Sequence, residues 1–125
     1  MKNLIIDAAN DKIIFSFITE KRSYTTSYVN SRENFDRFMS LLLFFLNENK
    51  LKLDDVQRIF VNQGPGKFSS LRISIAIAKA IALAKNISLS GFDSKILING
   101  NYKKLLELDK KGQKINNLIK PLYSS

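Results

Sequence analysis

The chain has 125 residues, enough for one domain with its own core, and 20 Lys and Arg against 11 Asp and Glu give it a formal net charge of +9. It has no Cys and no His. That excludes disulfides, thiolate nucleophiles and zinc–thiolate sites, along with Ser-His catalysis and histidine metal ligation.

The positive charge admits a nucleic-acid partner, but the cations are scattered. Their densest cluster is Lys103, Lys104, Lys110, Lys111 and Lys114, and no arginine–aromatic interleaving marks a base-reading surface. Lys2-Asn3 leads into a short apolar run only, so no secretory signal is expected. Residues 39–46 fall well short of the roughly 18 apolar residues a membrane span needs, and residues 68–84 contain Arg72 and Lys79. A soluble, cytoplasmic protein without membrane contact is expected.

From the N-terminus, Leu4-Ile5-Ile6 ending at Asp7 reads as a buried strand and Asn10-Asp11 as a turn. Residues 12–18 (KIIFSFI) form a second strand and residues 23–29 (SYTTSYV) a third, whose Tyr24, Thr26 and Tyr28 alternate as in an outer strand. The period then changes. Asn30 and Ser31 are helix-capping types, and Glu33 completes a capping box counted from Asn30. The helix should run over about 32–49, its apolar side carrying Phe35, Phe38, Met39, Leu42, Leu43, Phe45 and Leu46, with Leu41 widening it and Phe44 on the polar side.

Residues 59–61 read as a strand, Gly64-Pro65-Gly66 as a turn, and the Ile/Ala-rich run to Asn86 as a second helix opening at Ser69 and Ser70. Residues 87–90 read as a last strand, parallel to the one before it through a right-handed crossover. Tyr102 to Lys111 is compatible with a further helix, stopped at Gly112, with Pro121 in a frayed tail. Three antiparallel strands, helix, strand, helix, strand is the ribonuclease-H-like order: an α/β fold with a mixed five-stranded sheet and packed helices. The domain is expected over 1–100, followed by a Lys-rich helix and tail over 101–125.

The glycine turn has two readings. With Gly64, Gly66, Lys67, Ser69 and Arg72 it could hold an anion at a helix N-terminus, or it could be a tight connection alone. Phe68 after Gly66-Lys67 breaks the Walker pattern, and Pro65 removes one N–H. The second helix has two apolar arcs. A wide one holds Leu83, Ala76, Ala80, Ile73, Ala84, Ile77 and Ile81; a narrow one holds Leu71, Ile75, Ala78 and Ala82. With the wide arc on the sheet, the narrow arc and Phe38, Leu42 and Phe45 of the first helix are the expected helical interface, facing either a partner or each other.

The segment GPGKFSSLR, the small-residue helix AIAKAIALAKN and SLSGFDS, with Asp7 closing the first strand, resemble the TsaB family, also called YeaZ. The resemblance covers roughly residues 3–97. It implies an actin-like half-domain without catalysis or cofactor, cut short before the family's second domain. It also implies pairing with a TsaD-like subunit through the first two helices and a TsaE-like ATPase in the assembly, with a homodimer in isolation left open beside the heterodimer. Together these would support threonylcarbamoyl transfer to the adenosine beside the tRNA anticodon, with tRNA reached indirectly. Asp7-Ala8-Ala9-Asn10 lacks the family's hydroxyls after the first strand, which argues against nucleotide binding. Two alternatives remain: a metal- or nucleotide-dependent enzyme using Asp7 with Asp11, Asp55 or Asp93, and a basic tRNA-contacting module using Lys103–Lys114.

Overall fold

The computed structural model describes residues 1–97 and 101–110, the side chains of Phe68 and of residues 108–110 excepted. The expectations for Lys111, Gly112, Lys114 and Pro121 lie outside the described residues. One mixed sheet organises the chain: β1 (Asn3–Asp7), β2 (Lys12–Ile18), β3 (Ser23–Val29), β4 (Arg58–Asn62) and β5 (Ser88–Phe92), in the order β3-β2-β1-β4-β5. β1 and β2, and β2 and β3, pair antiparallel, whereas β4 pairs parallel with β1 and β5. The expected topology is therefore present.

Strand alternation sorts the core into two layers. Leu4, Ile6, Phe15, Phe17, Ile59 and Val61 face one side, under α2 (Phe38–Glu48) and α3 (Phe68–Lys85). Ile5, Ile18, Phe60 and Phe92 face the other, where Tyr102 and Leu105 of the α4 segment (helix Lys103–Lys110) cover them. The run set apart at 101 thus joins the core of the sheet through those two side chains.

The first expected helix is broken in two. α1 (Arg32–Asp36) ends at Arg37, whose φ of −123° is not helical, and α2 begins at Phe38. Its cap also differs from the expected box. Ser31, not Asn30, accepts from the Asn34 amide at 3.2 Å. Asn30 is used elsewhere: its Nδ2 donates to the carbonyls of Ala8 (3.2 Å) and Asn10 (2.6 Å), tying the β1–β2 turn to the end of β3.

The expected interface residues lie inside the molecule. Phe38, Leu42, Phe45, Leu71, Ile75, Ala78 and Ala82 are all buried, all but Leu71 in the core cluster under α2 and α3, with the Phe38 and Phe45 rings 5.3 and 6.0 Å from that of Phe15. Two serines explain the reversal. Ser70 and Ser74 are 0% exposed, and their hydroxyls donate back to the carbonyls of Lys67 and Leu71. A serine satisfied this way can face a core. Ser70, Leu71, Ser74, Ile75, Ala78, Ile81 and Ala82 then form one continuous arc of about 140° at 100° per residue. The rest of the wide arc turns outward, and only Ile81 of its members joins the core.

Candidate partner interface and a closed carboxylate site

The solvent side of α3 carries Ala76, Ala80, Leu83 and Ala84 exposed, flanked by half-buried Ile73 and Ile77. Leu83 is 86% exposed. The side chains form an apolar band about 120° wide, a face that a water-soluble helix leaves bare only where something covers it. Lys79 stands beside the band, and the helix carries no carboxylate anywhere along its length. Its small residues permit close approach of another helix. On α2, Leu43 is 45% and Phe44 55% exposed. They point in different directions from that helix: Phe44 borders a cleft with Tyr28, Arg37 and Leu41, and Leu43 is about 100° further round. A groove lined by Ser69, Arg72, Ile73 and Ala76 marks the N-terminal end of the α3 band.

The glycine turn is built around the chain's own backbone. Gly64 has a φ of 103°, and its amide donates to Asn62 Oδ1 at 2.8 Å. Gly66 lies flat on Ala9, whose carbonyl a Cβ would overlap, and the Lys67 amide donates to that same carbonyl at 3.1 Å. Lys67 Nζ pairs with Asp11 at 3.1 Å. The first free donor of α3 thus meets a carbonyl. Of the residues named for an anion site, Ser69 and Arg72 line the groove on the outer side of α3, while Gly64 and Gly66 face inward against neighbouring backbone.

Asp7 ends β1 on the α4 side, 5% exposed. Its Oδ2 accepts from the Tyr102 hydroxyl at 2.6 Å, and its Oδ1 from Asn62 Nδ2 at 2.9 Å and, more distantly, the Ala9 amide at 3.5 Å. Ser94 Oγ extends the network to Asn62 Oδ1 at 3.0 Å. Tyr102 lies 95 residues away and stands alone before a short amphipathic helix, so no local signal announced this contact. Among the described residues no group of three or more Asp and Glu side chains comes together. Asp11 pairs with Lys67, Asp93 caps the turn at Lys95, and Asp55 accepts from the Lys52 amide. The residues present do not fit a nucleotide phosphate with its metal: both carboxylate oxygens of Asp7 are engaged, and a carbonyl lies against the turn.

Burial and the Asp7 charge push the Tyr102 phenol above its ordinary range. The folded state therefore holds the phenol proton where the unfolded chain releases it, near pH 10. This contribution is fully present below about pH 10 and is lost as pH rises further, by about 1.4 kcal/mol per pH unit. Tyr102→Phe should remove that part of the alkaline dependence. It should also cost about 2 kcal/mol at neutral pH, because a charge-assisted bond to a buried carboxylate is lost. Urea unfolding of both proteins between about pH 7 and 11 measures the two effects together.

A mixed sheet of this order, with its first-strand carboxylate sealed by a tyrosine and one helix bare on its outer side, has the ribonuclease-H-like, actin-like fold. The family model described as "TsaD: tRNA N6-adenosine threonylcarbamoyltransferase" matches residues 12–98. The chain belongs to this family, as a TsaB/YeaZ-type member.

It is 29% identical over 91 residues to the tRNA threonylcarbamoyladenosine biosynthesis protein TsaB of Buchnera aphidicola subsp. Schizaphis graminum, covering 73% of this chain and 43% of that protein. Its match to the protein of the same name from Bacillus subtilis is 25% identical and covers 100% of this chain and 51% of the other. The solved structure of YeaZ from Pseudomonas aeruginosa superposes with a TM-score of 0.72 at 22% identity, covering 84% of this chain and 51% of that one, and shows the shared fold. The chain spans about half the length of the curated relatives it matches.

Proposed function

We infer that this chain is a non-catalytic partner subunit of the complex that makes threonylcarbamoyladenosine beside the tRNA anticodon. It pairs with a TsaD-like catalytic subunit, and a TsaE-like ATPase acts in the same assembly. The observation that carries this reading is the bare apolar face of α3, with Leu83 86% exposed. The names of the relatives support a tRNA-modification role, and the family model itself bears the name of the catalytic subunit. The engaged Asp7 favours the partner role over the enzyme. Without the TsaD-like subunit, the same face is where two copies of this chain would meet. No helix among the described residues is long and apolar enough to cross a membrane.

Mixing the chain with the TsaD-like subunit of the same cells, followed by size-exclusion chromatography with light scattering, tests the pairing. A one-to-one complex is expected. Two species that elute separately at concentrations of about 10 μM, above the Kd range of specific assemblies, would contradict it.

A further inference from the structure

At the end of the sheet opposite Asp7, four chain segments meet around one open groove. Lys2 precedes β1, Phe17 and Thr19 end β2, Arg22 and Tyr24 open β3, and residues 48–51 end α2. Lys2, Arg22 and Lys50 rim the groove, with Glu48 as the one carboxylate. Among the described residues no ion pair engages those three cations. Lys50 is turned into place by a left-handed backbone (φ 58°), its amide donating to the Asn47 carbonyl at 3.0 Å. The Leu46 carbonyl accepts from the amides of Asn49 and Leu51, so the helix end does not turn these carbonyls on an incoming anion.

The wall is aromatic. Tyr24 is half-buried opposite Phe17 in the β2–β3 register, and Arg22 Nη1 reaches its hydroxyl at 3.4 Å. Cations spaced around a half-exposed ring suit one kind of ligand: a base stacks on the ring while the phosphates on either side meet the cations. An acidic peptide would use the cations and leave the ring idle.

We propose that this groove binds a nucleotide unit of a single RNA strand, which gives the chain a direct contact with tRNA. The tRNA-modification reading enters only in choosing RNA as the strand. The groove lies on the α2 side of the sheet, away from the α4 lysines.

A 5′-fluorescein-labelled heptauridylate, titrated with the whole 125-residue chain and followed by anisotropy, tests the site. Affinity should fall with salt with a logarithmic slope of about −2, the value for about three phosphates of a single strand. Tyr24→Leu, which keeps apolar bulk, should weaken binding roughly tenfold. Arg22→Glu combined with Lys50→Glu should remove binding, whereas Lys95→Glu, an exposed cation elsewhere, should change it less than about twofold.

Equal loss from Lys95→Glu would overturn the site in favour of diffuse charge attraction. An unchanged Tyr24→Leu affinity, with decaglutamate competing as well as RNA, would overturn it in favour of an acidic peptide. Should Tyr24→Leu fail to fold, amide shift mapping on the wild-type chain decides: shifts concentrated at Thr19, Arg22, Tyr24 and Lys50 support the groove, and shifts on α4 refute it. The same variants mixed with the TsaD-like subunit separate the two readings. Pairing without RNA binding in the wild type sinks the groove alone, and RNA binding without pairing sinks the partner role alone.

Discussion

Ala78→Arg should leave the isolated chain largely unfolded. Ala78 is 0% exposed, in the core cluster that α2 and α3 form over Leu4, Phe15 and Val61. An arginine there must displace packed side chains, at about 1–3 kcal/mol for overpacking alone. It must also carry an unpaired guanidinium into the apolar layer or push α3 off the sheet. An uncompensated buried charge costs about 3–5 kcal/mol. The sum is comparable to the total stability of a domain this size, about 5–15 kcal/mol. Circular dichroism melting should show a lost or strongly lowered transition. A variant melting within a few degrees of wild type would mean that the α3 arc is not buried as described.

Gly66→Val should be the most damaging single change in the glycine turn, at roughly 3 kcal/mol or more, the upper end for overpacking and strain. The contact is backbone on backbone: a Cβ at Gly66 would lie 2.8 Å from the Ala9 carbonyl carbon and closer still to its oxygen. No side-chain rotation relieves that. The β1–β2 turn or the start of α3 must move, and the Lys67–Ala9 hydrogen bond moves with it. Gly66→Ala should cost nearly as much, since the first carbon makes the clash. At Gly64 the cause is different: a φ of 103° penalises any L-residue, by about 1–3 kcal/mol. Urea midpoints of Gly66→Ala, Gly66→Val and Gly64→Val rank the three. Gly66→Ala indistinguishable from wild type would show that the two turns do not touch.

The sheet was legible because its signals are local. Short apolar runs at residues 4–6, 12–18, 59–61 and 87–90 and the alternation over 23–29, punctuated by Asn10-Asp11 and Gly64-Pro65-Gly66, place all five strands, and the change of period after Val29 places the helices. The orientation of α3 was not legible, for a physical reason. A helical wheel counts serine as a boundary, whereas Ser70 and Ser74 each satisfy their hydroxyl on the preceding turn and enter the core. The narrow arc faces the core and the wide one solvent, the reverse of the expected directions, and Ile81 passes from the wide arc to the core. Asn30 was misread for a similar reason, since a capping residue type can equally well stitch two turns together. The Asp7–Tyr102 contact spans most of the chain and leaves no periodicity to find. Covering the second face of the sheet with α4 is a tertiary fact of the same kind.

The partner-subunit account rests on the outer face of α3, and Leu83→Arg tests that face most directly. Leu83 is 86% exposed, so the substitution should leave the melting temperature of the isolated chain within a few degrees of wild type, as surface changes usually do within about 0.5 kcal/mol. In a helical interface the same arginine buries an unpaired charge at a close approach, and loss of a central anchor costs about 2–4 kcal/mol, roughly a 30- to 1,000-fold weaker complex. Sedimentation velocity of the variant mixed with the TsaD-like subunit should show two separate species where wild type shows one. A folded Leu83→Arg chain that co-sediments with the TsaD-like subunit at wild-type affinity would contradict the account.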